Sequence, residues 1–234
     1  MKAISALLFA AAVAPLHAQQ PDAAAMVRSI RLSATLQQMD LTGSVEKSGG
    51  PKLGLNLFIR DKNMQFQLGD KERFHIRMGD ERAELLNVID DKGTTRAFPA
   101  SKLSDSIAGT DVSYEDLTLR FLYWPNAKLE GEEKANSEQC YKIRLDNPGK
   151  DGAYGVVYVW VHKKHGAFWQ IRAHDRKGTP MKEFQVNSVM KMPSGGYTIK
   201  EMRVNALDSN SRVKAITYLR FNEPAAAGPK GRGR

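Results

Sequence analysis

The sequence of 234 residues contains a single cysteine, Cys140. One cysteine excludes an internal disulfide, so packing alone must stabilise the fold, even in an oxidising compartment. Because no basic or histidine-rich neighbours activate it, Cys140 is predicted to be buried and inert. The sequence also lacks G-x-S-x-G, H-E-x-x-H and a glycine-rich phosphate loop. These absences argue against an enzyme, and we predict no catalytic residues and no cofactor.

Apolar runs long enough to span a bilayer are also missing. The run from Ala3 to Leu16 follows Lys2 and ends in Leu16-His17-Ala18. A charged start, a short apolar core and a small residue at the end are typical of a secretory signal peptide. We therefore expect residues 1–18 to be removed by cleavage after Ala18 and the mature protein to be exported. Because no cysteine stands at the cleavage point, no lipid anchor is expected.

The formal net charge is +9, but part of it lies outside the predicted domain. Lys2 leaves with the signal peptide, and residues 224–234 carry three more basic side chains. The remaining charge of roughly +5 suits transient contact with anionic membrane headgroups, or simply a solvated basic surface. Nucleic acid is not an expected partner of an exported protein. The tail, residues 224–234, has no apolar periodicity and is predicted to be disordered.

Residues 19–223 are long enough to form one all-β domain. A short helix is predicted first, capped by Asp22 and running to about Leu32. Apolar residues then alternate with polar ones, and turn sequences such as Asp61-Lys62-Asn63 separate the alternating segments. After a central helical segment, strands are predicted near 139–145, 155–163, 167–174, 181–192, 197–207 and 212–221.

This pattern predicts a mainly β fold with about ten or eleven antiparallel strands and two helical stretches. A sheet of that size must curl, close or be covered, so we expect one highly curved sheet with short helices over its concave face. The hollow beneath them would suit acyl chains. Candidate lining residues lie on apolar strand faces: Leu55, Leu57, Phe66, Phe74, Ile76, Val159, Trp169 and Phe184. Each of them could equally be an ordinary core residue.

The stretch from Ile107 to Pro125 carries both a helix start and a helix stop. Ser113 is the predicted N-cap, Asp116 the acidic half of a capping box, and the Trp124-Pro125 step the end of the helix. The motif G-T-D-x-S-Y-E-D-L, followed by an apolar helix and then W-P, resembles the sequences of the outer-membrane lipoprotein-sorting family, which is LolA-like. The motif residues are Gly109, Thr110, Asp111, Ser113, Tyr114, Glu115, Asp116, Leu117 and Trp124. A second similar run, from Trp160 to Gly178, combines a W-V-x-K strand with a D-x-x-G turn before a lysine-bearing strand.

The resemblance implies a half-open β-barrel with a helical lid, which carries acylated lipoproteins or lipids through the periplasm towards the outer membrane. It implies an inner-membrane release complex and an outer-membrane acceptor as partners, and we expect a monomer. In the best-known carriers an arginine inside the barrel holds the lid; Arg60, Arg77 and Arg172 are all possible here. The fold also includes stress sensors and assembly partners that do not transport, so a non-transporting envelope module is the alternative.

The histidines suggest a metal site and the acidic motif residues suggest acid–base catalysis, but a structural role explains both groups better. His162 and His174 would lie roughly 23 Å apart along the sheet at 3.3 Å per residue, which argues against a metal site with His165. Asp111, Glu115 and Asp116 could be imagined as a general acid and base. Their positions fit helix entry better, because negative side chains are stabilised near a helix N-terminus. No nucleophile is identifiable nearby, so we interpret them as capping residues.

Overall fold

The computed structural model describes residues 21–35, 38–70, 72–193 and 195–224. The predicted signal peptide, residues 1–18, lies outside this part of the chain, and so does the predicted tail apart from Pro224. Among the helices of the described ranges, none has both the length and the apolar character needed to cross a membrane.

Helix α1 spans Ala23–Thr35 and begins where the sequence predicts. The carboxylate of Asp22 accepts a hydrogen bond from the backbone N–H of Ala24 at 2.9 Å, which satisfies one of the free donors of the first turn. Val27 and Ile30, three positions apart, form its buried side. The helix packs against the sheet edge and the connection that follows the first half of the sheet.

Thirteen strands in the described residues form one antiparallel sheet. They are β1 (Met39–Lys47), β2 (Lys52–Arg60), β3 (Asn63–Leu68), β4 (Glu72–Met78), β5 (Ala83–Val88), β6 (Thr95–Ala97), β7 (Lys128–Ala135), β8 (Glu138–Asp146), β9 (Val156–His162), β10 (Phe168–His174), β11 (Pro180–Lys191), β12 (Tyr197–Leu207) and β13 (Val213–Phe221). The predicted fold class, one curved and open antiparallel sheet with short helices, is confirmed. The strand number is higher than the predicted ten or eleven.

Strands β6 and β7 form the two edges of the sheet, and alternation of apolar and polar residues did not predict either of them. Strand β6 has only three residues, and β7 reads KLEGEEKA, in which charged side chains hide the alternation. Short or highly charged edge strands disfavour pairing with the edge of another sheet. The sequence pattern fails at these two places because the edges are selected against aggregation rather than for burial.

The order of strands across the sheet is β6-β5-β4-β3-β2-β1-β13-β12-β11-β10-β9-β8-β7. Two antiparallel meanders, β1 to β6 and β7 to β13, therefore join where the first strand pairs with the last. Strands β6 and β7 follow each other in sequence but lie at opposite edges. The connection between them, residues 98–127, has to pass from one edge to the other, and we call it the lid segment.

The lid segment contains three short helical pieces. They are a 3-10 helix at Ala100–Lys102, helix α2 at Tyr114–Thr118 and a second 3-10 helix at Arg120–Tyr123. The sequence predicts one continuous helix to Trp124, and this is wrong. Leu119 adopts a left-handed conformation with φ of 44°, which ends α2. The break allows Phe121 and Leu122 to enter the core, where both are buried, so tertiary packing overrides helix propensity.

Candidate functional site

The apolar layer on the concave face of the sheet contains seven of the eight predicted lining residues. They are Leu55, Leu57, Phe66, Phe74, Ile76, Val159 and Phe184. They are distributed over three apolar clusters, and the half-buried Phe66 packs against all three. Phe66 therefore lies at the centre of the layer, where the clusters meet.

Trp169 does not join this layer. Strand β10 has a register irregularity between Phe168 and Gln170, so simple alternation fails there. Phe168 packs with the concave-face core, whereas Trp169 packs in a separate cluster with Cys140 and Trp160. The irregularity reverses the predicted direction of this one side chain. In the same cluster, burial raises the pKa of the Cys140 thiol, which makes it a poor nucleophile.

An apolar cavity of about 20 Å³ lies between the sheet and the lid segment. The sheet contributes Val45, Leu55, Phe66, Leu68, Phe74 and Leu219, and the lid segment contributes Ile107, Thr110, Val112 and Leu117. The hydroxyl of Thr110 donates to the carbonyl oxygen of Ile107 at 2.8 Å, so this polar group is satisfied within the lid. A cavity of this size holds about one water molecule. The interior is therefore closed in this conformation, and the lid forms part of its wall.

Buried polar contacts hold the lid segment at Asp116, whose side chain is 2% exposed. Its Oδ2 lies 2.8 Å from Nζ of Lys182 on β11 and also accepts the Ser113 N–H at 2.7 Å. The latter is the acidic half of the predicted capping box. The Tyr154 hydroxyl donates to Oδ1 at 2.5 Å. Burial, reinforced by the Asp116 carboxylate, raises the pKa of Tyr154 well above its usual range, so the phenol stays protonated and keeps donating. We call Asp116, Tyr154 and Lys182 the latch.

A second polar anchor ties the lid segment to the centre of the sheet. Asp111 forms an ion pair with Lys47 of β1 at 2.9 Å. The hydroxyl of Thr217 on β13 donates to Asp111 Oδ2 at 2.9 Å and accepts the Asp111 N–H at 3.0 Å. Because β1 and β13 are the strands that join the two meanders, this anchor lies midway between the sheet edges.

Glu115 lies between these anchors and is fully buried. Its Oε2 accepts the Ala153 N–H at 2.9 Å, and its Oε1 has no hydrogen-bond partner among the described residues. Burial raises the pKa of Glu115. Gly152, with φ of 78°, allows the close approach, because a Cβ there would lie 2.1 Å from Oε1. Asp116 thus completes the capping box at the start of α2, and all three acidic motif residues also attach the lid segment to the rest of the chain, which the sequence analysis did not predict.

The three arginines considered from the resemblance do not hold the lid. Each pairs with an acidic residue of the sheet: Arg60 with Asp40, Arg77 with Glu84 and Arg172 with Glu183. Lysines take that role instead, Lys182 at the latch and Lys47 at the second anchor. The sequence analysis did not predict this role for either lysine. One signal existed, because Lys182 stands on the lysine-bearing strand that follows the D-x-x-G turn.

His162 and His174 lie apart along the sheet. His174 pairs in register with Val156, at the opposite end of β9 from His162. His162 and His165 are close, with ring centroids 4.6 Å apart. Across the described ranges, no group of three or more His, Cys, Asp or Glu side chains is placed to hold a metal ion.

Comparison with solved structures identifies this fold in other proteins. A DUF1329 family protein from Desulfovibrio piger has a TM-score of 0.64 at 15% identity, over 86% of this chain and 92% of its own. An outer membrane lipoprotein-sorting protein domain from Vibrio parahaemolyticus has a TM-score of 0.64 at 13% identity, over 88% and 93%. A LolA superfamily protein from Nitrosomonas europaea has a TM-score of 0.60 at 12% identity, over 86% and 91%. The predicted LolA-like fold is confirmed.

Sequence comparisons are less specific about activity. A family model described as "Uncharacterized protein" matches residues 80–225, a range that contains the whole lid segment. No curated protein matches the chain. At the low identities of the solved structures, the likeness defines the fold alone, so function has to be argued from the site.

Proposed function

Because this chain belongs to the family of uncharacterized proteins matched over residues 80–225 and has the LolA-like fold, we propose that it is a periplasmic acyl-chain carrier. In this proposal the apolar interior binds acyl chains of lipoproteins or lipids, and the protein ferries them towards the outer membrane. An inner-membrane release complex would supply the cargo and an outer-membrane acceptor would receive it, with transient contact at the membrane surface.

The observation that carries the proposal is the apolar cavity with a wall formed by the lid segment. Four of its lining residues belong to the lid, and the other six belong to the sheet. Movement of residues 98–127 alone would therefore open the cavity without separating any strands. The surface exposed by that movement is apolar, which is the property needed to bind an acyl chain.

Polar attachment of the lid also supports a moving part. The latch and the second anchor join the lid to the sheet through ion pairs and hydrogen bonds. Such groups can exchange their protein partners for water when the lid lifts, so the net loss per hydrogen bond is modest. Lys47 at the second anchor is already 40% exposed, which makes its contact with Asp111 readily solvated.

The small cavity also favours a second candidate, a non-transporting envelope module. In that case the interior, at about 20 Å³, would be ordinary filled core, and an exposed surface would bind the partner. The two candidates differ in one property. A carrier must open far enough to admit an acyl chain, whereas the module has no need to open.

Native mass spectrometry of mature protein, purified gently from the periplasm of its own host, tests the proposal. A co-purifying acyl ligand in near-stoichiometric amount supports a carrier, and lipid extraction then identifies the cargo. A transfer assay from donor to acceptor membranes separates carriage from simple binding. Protein that is free of ligand and also refuses added lipid contradicts the carrier proposal and favours the non-transporting module.

A further inference from the structure

A second cavity, of about 470 Å³, lies between the lid segment and the sheet, next to the turn between β4 and β5. Its volume is within the range of small-molecule binding sites. We call it the lid cleft. Unlike the interior, it combines charged and aromatic side chains, among them Glu81, Phe98, Arg120, Trp124 and Asp151.

Arg120 is the most informative residue of the lid cleft. It is half-buried, and its guanidinium forms no hydrogen bond or ion pair with a described residue, the Glu115 carboxylate being a charged neighbour. Arg82, the other arginine of the cleft, is occupied by Glu84, with Nη2 and Oε1 at 2.6 Å. Burial raises the pKa of the neighbouring Glu115, and the Arg120 charge acts against that rise. A partly desolvated guanidinium without a bound acceptor is suited to a phosphate, whose oxygens match its forked donors.

The free acidic groups of the lid cleft complement this cation. Glu81 and Asp151 are exposed, and neither carboxylate forms an ion pair within the described residues. A ligand with only negative charge would meet both of them unfavourably. A zwitterion can place its anion on Arg120 and its cation near the carboxylates, so the combination selects a ligand that carries both charges.

Side chains in direct contact with each other line the lid cleft and the apolar interior. Phe98 lines the cleft and Phe74 lines the interior, and their ring centroids are 6.1 Å apart. Leu117 and Thr118, adjacent in α2, line the interior and the cleft respectively. If the lid moves, one ligand can therefore reach both compartments, with its polar end in the cleft and its apolar end in the interior.

We propose that the lid cleft binds the zwitterionic headgroup of a phospholipid, with its phosphate on Arg120 and its ammonium group facing Glu81 and Asp151. The headgroup contacts are independent of the carrier proposal, whereas the placement of an acyl chain in the interior rests on it. The cargo class is then a phospholipid with an ethanolamine-type headgroup rather than a neutral lipid.

Calorimetric titration of the mature protein with two single-chain lipids tests the headgroup site. Lysophosphatidylethanolamine carries the zwitterion, and monoacylglycerol with the same chain lacks it. We expect the wild type to bind the zwitterionic lipid at least about tenfold more tightly, and Arg120→Gln to lose that preference while binding monoacylglycerol unchanged. Arg120→Lys should retain part of the preference, because it keeps the charge but loses the forked donors.

Arg212→Gln is the matched control, because Arg212 is exposed in the turn before β13 and outside the lid cleft. It should leave both affinities unchanged. Equal affinity of the wild type for the two lipids, or equal weakening of both by Arg120→Gln, overturns the proposal. So does tight binding of lysophosphatidic acid, which has the phosphate without the ammonium, or displacement of the lipid by inorganic phosphate.

The two proposals fail differently. Glycerophosphoethanolamine, which has the headgroup and no chain, should bind weakly to the wild type and not to Arg120→Gln. If it does so while no acyl lipid binds, the headgroup site stands and the carrier proposal falls. If monoacylglycerol and the zwitterionic lipid bind equally well, the carrier proposal stands and the headgroup site falls.

Discussion

Replacement of Lys182 by methionine removes the cation of the latch and keeps most of the side chain volume. The carboxylate of Asp116 is 2% exposed and the Lys182 side chain is 16% exposed, so solvent screens their ion pair little. Removal of one partner from a buried pair typically costs 3–5 kcal/mol. Asp116 keeps its hydrogen bonds from Tyr154 and Ser113. We therefore expect the lower end, about 3 kcal/mol of unfolding free energy.

The same substitution should speed ligand uptake if the latch breaks when the lid opens. The lost interaction then raises the population of the open state by up to about 100-fold, since each 1.4 kcal/mol corresponds to a factor of ten. Stopped-flow mixing with a fluorescent fatty acid measures uptake, and urea titration measures stability. Uptake that is limited by lid opening should rise towards that factor.

Arg60→Met provides the control, because it breaks an exposed ion pair of similar length, 2.7 Å to Asp40, on the sheet. Exposed pairs contribute little, so neither stability nor uptake should change appreciably. The reasoning is refuted if Lys182→Met lowers stability as expected and leaves uptake at the wild-type rate. That result would mean that the latch stabilises the fold without controlling access to the interior.

Three further predictions concern single residues of the site. Burial raises the pKa of Glu115, so the protonated side chain stabilises the folded state at low pH, and this contribution is lost as the pH rises through the raised pKa. Glu115→Gln should remove this pH dependence of the unfolding free energy, as measured by urea unfolding across pH. Gly152→Ala should lower the unfolding free energy by about 3 kcal/mol or more, because the new Cβ clashes with Glu115. Gly178→Ala, at a glycine with similar φ but open space around it, should lower it by only about 1–2 kcal/mol, and urea unfolding midpoints compare the two. Phe66→Glu should abolish fatty-acid binding while Trp169→Glu preserves it, and equal loss in both would contradict the assigned faces.

Much of the fold could be predicted because local patterns and tertiary structure agree over the meanders. Leu55, Leu57, Phe74 and Ile76 alternate with polar residues and are buried on one face, as period-two spacing requires. Alternation failed at Trp169, where an irregularity in β10 changes which face the side chain occupies. Irregularities of this kind leave no clear trace in a single sequence.

The site was harder to predict than the fold because its key contacts join residues far apart in the chain. Asp116 was recognised as a capping residue from its spacing to Ser113, which is a local relation. Its contacts with Tyr154 and Lys182 depend on how the lid crosses the sheet, and no local pattern encodes that path. Lys47 carries no local signal for the same reason, and the lysine-bearing strand of the resemblance contains Lys182 without indicating its partner.

Whether the closed interior admits a ligand depends on a balance of two free energies. Burial of a chain with about fifteen methylenes contributes roughly 12 kcal/mol at 0.8 kcal/mol for each methylene. Lifting only the part of the lid that lines the interior, with Phe121, Leu122 and Trp124 left in the core, exposes Ile107, Val112 and Leu117, at about 1.5–3 kcal/mol each. It also breaks the latch, at about 3 kcal/mol, and the second anchor, at about 1 kcal/mol. Opening of this part therefore costs about 9–13 kcal/mol, which a long acyl chain roughly offsets. Such a near balance gives reversible binding, as a carrier that must also release its cargo requires, and a lid much more strongly held would exclude acyl chains altogether.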